Sequence, residues 1–251
     1  MPSEDDHSLA ARLAAEAGEV LLKLRAERGF EDGRALKDAG DSASHEYLMA
    51  ALAEFRPGDA VLSEEGKDDR VRLESDRVWI VDPLDGTREF SEEGRGDWAV
   101  HVALWEGDRL AAGAVALPVQ GVTLSTGNPP KTPERSTEAI RIVVSRTRPP
   151  QIVHELTARL EAAGHKVELV PMGSAGAKIA AVLTGDVDVY VHAGGQYEWD
   201  SAAPAAVALA AGAHASRIDG SPLVYNEEDP YLPDILVSHP SLAQLILSGL
   251  N

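Results

Sequence analysis

A six-residue segment, DPLDGT at positions 82–87, directly follows an apolar run at 78–81. Its proline cannot donate a ladder hydrogen bond, and its glycine permits backbone angles that are closed to other residues. The segment therefore predicts a strand that stops, turns sharply and directs Asp82 and Asp85 into one small volume. Carboxylates so close repel each other unless protons or a cation neutralise them, and hard oxygen ligands favour a divalent ion such as Mg²⁺. Taken alone, the segment is more typical of a solvated acidic turn.

The charge and composition of the chain exclude several kinds of protein. Its 251 residues include 41 acidic and 23 basic ones, a formal net charge of −18, which leaves no basic surplus for coating a nucleic acid. The absence of cysteine excludes disulfides, zinc–thiolate sites and cysteine nucleophiles. Residues 1–6 are acidic where a signal peptide is basic, and no apolar stretch approaches the roughly 20 residues of a membrane span. We expect a cytoplasmic protein without a nucleic-acid or membrane partner.

Apolar periodicity and turn residues predict an alternation of helices and strands. The predicted helices cover residues 8–28, about 42–55, 150–163, 174–183, 201–211 and 242–247. The predicted strands cover residues 60–63, 78–81, 98–105, 110–117, 121–125, 140–145, 166–170, 187–191, 223–225 and 235–238. A charged segment at 67–76 is predicted to be a solvated loop. The alternation favours an α/β (α+β) fold with layers of sheet and helix.

A loop rich in proline and threonine at 127–137 divides the chain into two predicted parts. Residues 1–133 would form an α+β half that carries Glu64 and the DPLDGT segment. Residues 134–251 would form an α/β half that carries Asp200 and the substrate-binding residues. The length suits one domain or two joined subdomains, and we expect one compact catalytic unit.

Acidic residues stand at the ends of two predicted strands and before one predicted helix. Glu64 and Glu65 follow one strand, the DPLDGT segment follows another, and Asp200 precedes a helix. Considered singly, Asp200 is more typical of a helix cap, and the two glutamates are more typical of the surface. Their combination in one chain carries more information than any one of them.

The order and spacing of three motifs give the chain a family resemblance. The segments SEE at 63–65, DPLDGT at 82–87 and WDSAA at 199–203 together resemble the inositol monophosphatase family of magnesium-dependent, lithium-sensitive phosphatases. The resemblance extends over nearly the whole chain. It implies a layered αβαβα sandwich that hydrolyses a small-molecule phosphate monoester.

The resemblance also implies a metal site. The residues that would hold two or three Mg²⁺ ions are Glu64, Asp82, Leu84 through its backbone carbonyl, Asp85 and Asp200. The proline before Leu84 fits this role, because a rigid turn can aim that carbonyl inward beside the aspartates. Metal ions neutralise the dianionic ester and lower the pKa of a bound water, so Glu64 and Asp85 also count as catalytic residues.

In this family a threonine paired with an upstream aspartate orients the attacking water, and the resemblance assigns the threonine role to Thr87. Asp41 is our choice for the aspartate. The segment KDAGD at 37–41 is shorter than the Ser-Pro-Val-Thr-like run of many relatives, so Asp38 is an alternative, and Asp41 could instead be a turn residue before a helix. Gly86 would let the phosphate approach backbone amides at a helix start.

Two basic segments bear on the identity of the ester. Ser145 and Arg146 follow a strand, where a guanidinium could bind phosphate in a bidentate fork or simply belong to a basic loop. Ser174 would cap a helix whose N-terminus attracts anions, and Lys178 could bind the substrate or be an exposed helix residue. Both segments resemble the CysQ-type 3′(2′),5′-bisphosphate nucleotidase branch of the family. That branch implies removal of the 3′-phosphate of adenosine 3′,5′-bisphosphate, and of its sulfated precursor as a further substrate.

Glu198 is a further candidate, either for contact with a substrate hydroxyl or as a plain surface acid. The complete set of predicted substrate-binding residues is Gly86, Thr87, Arg88, Ser145, Arg146, Ser174, Lys178, Glu198 and Asp200.

Two other functions remain open at this point. Hydrolysis of inositol 1-phosphate or fructose 1,6-bisphosphate would use the same metal site. A calcium-binding or phospholigand-sensing module without turnover fits less well, because the acids of DPLDGT fall first and fourth and its glycine fifth, whereas a calcium loop needs alternating oxygens and glycine sixth.

The oligomeric state and the histidines receive weaker expectations. A homodimer is implied by the family resemblance alone. The eight histidines form no metal-type cluster, and we expect His101, His192 and His214 to have packing or solvated roles.

Overall fold

The computed structural model describes residues 4–135, 138–147 and 149–250. Its helices are α1 (Asp6–Arg28), α2 (Gly33–Phe55), α3 (Thr87–Phe90), α4 (Gln151–Ala162), α5 (Ala175–Thr184), α6 (Glu198–Ala210) and α7 (Ala243–Leu250). Its strands are β1 (Ala60–Ser63), β2 (Arg77–Asp85), β3 (Ala99–Glu106), β4 (Arg109–Leu117), β5 (Val122–Ser125), β6 (Ile140–Ser145), β7 (Val167–Met172), β8 (Val189–Tyr197), β9 (His214–Ser216) and β10 (Tyr231–Ser238).

The strands form two sheets of five. The first sheet has the order β1-β2-β3-β4-β5, with β1 parallel to β2 and the other neighbours antiparallel. The second has the order β7-β6-β8-β10-β9, with β6 parallel to both β7 and β8. The boundary that we propose between the two halves, at residues 133/134, lies in the segment between β5 and β6.

Helices cover both faces of each sheet. Helices α1 and α2 pack on the outer face of the first sheet, α5 and α6 lie between the sheets, and α4 and α7 cover the outer face of the second. Strand β2 shows why, because its side chains alternate between faces. Val78 and Ile80 join the core around α5 and α6, whereas Trp79 and Val81 join the core under α1 and α2. The expected layered αβαβα sandwich is confirmed.

Helix α2 begins nine residues earlier than the sequence predicts. Asp32 caps it by accepting a hydrogen bond from the Ala35 backbone N–H at 3.0 Å. In the first turns only Leu36 and Gly40 are buried, so the apolar period is too sparse there to reveal the helix. Asp41 is therefore a helical residue, and its interpretation as a turn residue before a helix is wrong.

The DPLDGT segment does not stop the strand as expected. Strand β2 continues to Asp85, and its pairing with β3 shifts register between Asp82 and Asp85. The irregularity takes the place of the predicted sharp turn, because the proline removes one ladder donor while the flanking residues keep their pairing.

The charged segment at 67–76 is only partly a solvated loop. It contains a 3₁₀ turn, Arg70–Glu74, in which Arg72 is completely buried. The Arg72 guanidinium donates to the Asp68 carboxylate and to the backbone carbonyl of Glu227. This charged segment therefore contains a buried arginine that binds the loop at Glu227.

One predicted strand is wrong and another was missed. Residues 223–225 form no strand, while His214–Ser216 pairs with β10 at the edge of the second sheet. No helix in the described ranges combines the length and apolar character that crossing a bilayer requires.

Candidate active site

A cavity of about 540 Å³ opens where the ends of β1, β2 and β6 meet the first turns of α3, α5 and α6. Both halves of the chain contribute to it. Its lining residues are Glu64, Asp82, Leu84, Asp85, Gly86, Thr87, Arg88, Glu89, Ser145, Arg146, Thr147, Gly173, Ser174, Lys178 and Asp200.

Three carboxylates converge in this cavity. Ligand oxygens of Asp82, Asp85 and Asp200 all lie within 4.8 Å of one another. The first two come from the irregular end of β2, and the third comes from the first turn of α6. The fold therefore brings together acidic residues that stand more than a hundred positions apart in the sequence.

Asp85 is held by the N-terminus of α5. Its Oδ2 accepts hydrogen bonds from the Ser174 hydroxyl and from the Gly176 N–H, at 2.6 Å for the latter, and its Oδ1 accepts from the Ala175 N–H at 3.1 Å. Burial opposes ionisation of this carboxyl, but nearby His101 and the hydrogen bonds from Ser174 and Gly176 lower its pKa to about 2. The helix N-terminus that was expected to attract the substrate thus binds a side chain of the protein.

The other acids of the cluster have the opposite shift. Burial, followed by the charges of Glu64 and Asp85, raises the pKa of Asp82 well above its usual range. Burial and the Asp85 charge raise the pKa of Asp200 to about 7. Glu64 is exposed as a residue, but its carboxyl group reaches into the cavity, and the same two causes raise the pKa of that carboxyl to about 7. Like charges so enclosed favour protonation unless a cation is bound. Several hard oxygens in one small volume are the donor set that Mg²⁺ prefers, so these residues fit a metal ion.

Asp200 is not the N-cap residue of its helix, although its side chain does help to cap the helix start. Helix α6 begins at Glu198, Tyr197 is its N-cap, and the Asp200 carboxylate accepts a hydrogen bond from the Tyr197 N–H at 2.6 Å. This bond fixes the carboxylate at the third position of the helix, pointing back towards its start.

Helix α2 lies against the DPLDGT segment from outside the cavity. The Ser44 hydroxyl donates to the Pro83 carbonyl at 2.7 Å. A Cβ on Gly40 would lie only 2.9 Å from Leu84 Cδ2 and 2.7 Å from Phe90 Cε1, so the helix comes this close only because position 40 has no side chain.

Asp41 and Thr87 occupy neighbouring elements. Thr87 opens α3 after Gly86, which has the left-handed φ of 90°. Asp41 is half-buried on α2, and burial together with the charges of Glu65 and Asp38 raises its pKa to about 7. Asp41 is not among the described residues that line the cavity.

The cations of the cavity differ in their surroundings. Arg146 donates to the carboxylates of Glu89 and Glu92, each at 2.9 Å. Lys178 is only 6% exposed, and its ammonium lies 5.2 Å from the centre of the Tyr190 ring. Burial lowers its pKa against the opposing charge of the acidic cluster. The interpretation of Lys178 as an exposed helix residue is therefore wrong.

Glu198 occupies neither of the places expected for it. It is 1% exposed and accepts hydrogen bonds from the backbone N–H groups of Asn226, at 2.7 Å, and Glu227, at 2.8 Å. It does not line the cavity described above. Glu198 thus holds a loop and is neither a surface acid nor in contact with the space where a substrate would lie.

His101 is a residue of this region for which the sequence did not indicate a functional place. The same is true of three residues of the cavity lining, Glu89, Thr147 and Gly173. His101 is buried in β3, with Nδ1 3.0 Å from the Trp199 carbonyl oxygen and Nε2 3.2 Å from Asp85 Oδ2. One signal was available, since the side chains of residues 99, 101 and 103 share a strand face. Ala99 and Ala103 pack in the core around α5 and α6, and the histidine between them faces the same helices.

Comparison with known proteins identifies the family. Residues 4–250 match the sequence profile of the Inositol monophosphatase family. The 3′-phosphoadenosine 5′-phosphate phosphatase of Mycobacterium leprae is 53% identical, over 96% of this chain and 92% of that protein. The 3′(2′),5′-bisphosphate nucleotidase CysQ of Escherichia coli is 35% identical, over 77% of this chain and 81% of that protein.

A solved structure agrees with this. The crystal structure of inositol monophosphatase-II from Staphylococcus aureus superimposes with a TM-score of 0.77 at 25% identity, over 95% of this chain and 92% of that one. The resemblance stated from the three motifs is confirmed, and the chain belongs to the inositol monophosphatase family.

Proposed function

We propose that the chain is a magnesium-dependent phosphomonoesterase that removes the 3′-phosphate of adenosine 3′,5′-bisphosphate, giving AMP and phosphate. The observation that carries the reaction type is the convergence of Asp82, Asp85 and Asp200 within 4.8 Å in a cavity that also contains cationic side chains. The substrate is supported by the relative that is 53% identical and bears the corresponding name. The sulfated precursor of this nucleotide is a further substrate of the same proposal.

The carboxylates would hold the metal. Asp82, Asp85 and Asp200, joined by Glu64 and the Leu84 carbonyl, would bind two or three Mg²⁺ ions. When bound, Mg²⁺ neutralises the dianionic ester and lowers the pKa of a water molecule at the site. Asp85 is prepared for this role, because its pKa of about 2 keeps it ionised at neutral pH.

Thr87 and Asp41 would orient the attacking water. Thr87 lines the cavity at the first position of α3, and Asp41 lies on the helix that packs against the same segment. The water oxygen would attack phosphorus as the bond from phosphorus to the 3′-oxygen breaks; one proton of the water passes to the leaving 3′-oxygen, and the other stays on the released phosphate. Asp41 is favoured over Asp38, since Asp41 is half-buried and its charge acts on Glu64, whereas Asp38 is exposed.

The cationic side chains would bind the phosphates. Arg88 is exposed at the cavity wall, Lys178 is buried in it, and Arg146 lies at its edge. A nucleotide bisphosphate carries two phosphate groups, and guanidinium groups suit the second one because they form two parallel hydrogen bonds. Arg146 would exchange Glu89 and Glu92 for that phosphate. Ser145, Ser174 and the Gly86 backbone complete the wall on which the nucleotide would lie.

A cytoplasmic location and a homodimer belong to the same proposal. Cell fractionation would test the first, and light scattering after size-exclusion chromatography would test the second.

Phosphate release tests the function directly. The purified chain is incubated with Mg²⁺ and, at equal low concentrations, with adenosine 3′,5′-bisphosphate, inositol 1-phosphate or fructose 1,6-bisphosphate. Parallel reactions contain lithium or a chelator in place of Mg²⁺. We expect metal-dependent, lithium-sensitive release with a strong preference for the nucleotide. Comparable rates on all three esters would contradict the nucleotide assignment, and full activity in the chelator would contradict the metal site.

A further inference from the structure

We propose that His101 is a positioning residue that fixes the first turn of α6, and with it the Asp200 carboxylate, and so sets the affinity of the site for its metal ion. The inference rests on the proposed function, since it takes Asp85 and Asp200 as ligands of that ion.

His101 bridges two motifs of the sequence. Its Nδ1 lies 3.0 Å from the Trp199 carbonyl oxygen. A carbonyl can only accept a hydrogen bond, so Nδ1 carries the hydrogen. Trp199 directly precedes Asp200 in the first turn of α6, and the bond therefore ties that turn to β3.

The other ring nitrogen faces the second motif. Nε2 lies 3.2 Å from Asp85 Oδ2. The two atoms are close, but this buried nitrogen makes no hydrogen bond to any of the described residues. The same Oδ2 receives the Ser174 hydroxyl and the Gly176 N–H, whereas Oδ1 receives a single N–H at 3.1 Å. The start of α5, and not the His101 ring, therefore supplies the hydrogen bonds that hold Asp85.

Gly176 provides the space for this arrangement. A Cβ on Gly176 would lie 2.0 Å from His101 Nε2, a distance that no pair of unbonded atoms can occupy. The ring and the first turn of α5 can both approach Asp85 only because this residue is glycine.

Groups that hold a metal ligand in place affect how tightly the metal binds. Loss of such a partner typically lowers metal affinity about 10- to 100-fold. A residue that served only core packing would lower stability without this change in affinity. Metal affinity, measured on folded protein, therefore separates the two roles.

The experiment measures Mn²⁺ binding by electron paramagnetic resonance, with no substrate present. In His101→Asn the amide can keep the bond to the Trp199 carbonyl, whereas in His101→Leu no donor remains. We expect about a 10-fold or greater loss of Mn²⁺ affinity in His101→Leu, a smaller loss in His101→Asn, and no change in His165→Leu, whose histidine is exposed elsewhere. The rise in Tm on adding Mn²⁺ provides a second readout.

A variant at position 176 tests the same contact without changing the histidine. Gly176→Ala should displace the ring and lower Mn²⁺ affinity as His101→Leu does. Gly58→Ala is the control, because a Cβ there meets no atom within 4 Å. Folded His101→Leu and Gly176→Ala proteins that bind Mn²⁺ as tightly as the wild type would overturn the positioning role alone. A wild-type chain that binds no Mn²⁺ would overturn the proposed function and the positioning role together.

Discussion

Ser174, from the second half of the chain, donates its hydroxyl hydrogen to Oδ2 of Asp85, from the first half. The Gly176 N–H donates to the same oxygen at 2.6 Å. One carboxylate thus belongs to the cluster that would bind a cation and also joins the two halves of the molecule. Substitutions at Asp85 should therefore affect both activity and stability.

Asp85→Asn should almost abolish turnover while the protein stays folded. Loss of a ligand charge removes several kcal/mol of transition-state stabilisation, which corresponds to about a thousandfold in rate. The amide has one accepting oxygen instead of two, so the free energy of unfolding should fall by about 1–3 kcal/mol. Phosphate release at saturating Mg²⁺ and urea denaturation measure the two effects. Glu93→Gln, at an exposed carboxylate, is the control. Near-normal turnover in Asp85→Asn would show that Asp85 is not a metal ligand.

Arg146→Ala should weaken binding of the nucleotide bisphosphate more than binding of a simple monoester. A charged hydrogen bond contributes about 1.5–3 kcal/mol, so KM for adenosine 3′,5′-bisphosphate should rise about 10-fold or more. KM for inositol 1-phosphate should change less, because it has no second phosphate. Arg70→Ala, in which an exposed arginine loses its ion pair with Glu228 far from the cavity, is the matched control. Equal losses on both substrates would place the second phosphate elsewhere.

Glu198→Gln should lower stability and leave KM unchanged. The carboxylate accepts two backbone hydrogen bonds from the loop at Asn226 and Glu227, and an amide can replace only one of its oxygens. We expect a loss of about 1–3 kcal/mol in the free energy of unfolding. Steady-state kinetics with the nucleotide and thermal denaturation check this. A large rise in KM with unchanged Tm would show that Glu198 contacts the substrate after all.

Asp188→Asn should destabilise the second half in a pH-dependent way. The buried Asp188 carboxylate accepts hydrogen bonds from Arg135, and from the backbone and guanidinium of Arg141. Burial opposes its ionisation, but these bonds from Arg141 and Arg135 lower its pKa below the usual value. Removing one partner of such a pair costs about 3 kcal/mol.

The sign of this pH dependence follows from the lowered pKa. The ionised carboxylate stabilises the fold above the pKa of the unfolded chain, about 3.9, and this contribution is lost as pH falls through the lower pKa of the folded state. The difference in unfolding free energy between wild type and Asp188→Asn should therefore be full near neutral pH and shrink in acid. Urea denaturation across that range measures it. A difference that grew as the pH fell would contradict the assignment.

Local patterns predicted the alternation of strands and helices that builds the layers of the fold. The meeting of Asp82 and Asp85 with Asp200 was implied only by the family resemblance of the three motifs, because Asp200 considered singly is more typical of a helix cap. Sparse patterns failed, as at the start of α2, where a short apolar period is interrupted by charged residues.

Contacts between the halves could not be predicted in this way. His101 reads as one more residue of a buried strand, and Ser174 reads as an ordinary helix cap. Their meeting with Asp85 depends on the packing of α5 against the first sheet, which no local spacing encodes. The Glu198 prediction failed for the same reason, since its partners lie 28 and 29 residues away.

The position of Asp41 relative to the DPLDGT segment depends on Gly40. Its missing side chain lets α2 rest on Leu84 and Phe90, and Asp41 is the next residue of that helix. The distance between the helix and the DPLDGT segment, behind the wall of the cavity, is therefore this short only because residue 40 has no Cβ atom. A substitution at position 40 would therefore displace the residue proposed to orient the attacking water, although position 40 itself touches neither the ester nor the residues that would bind it.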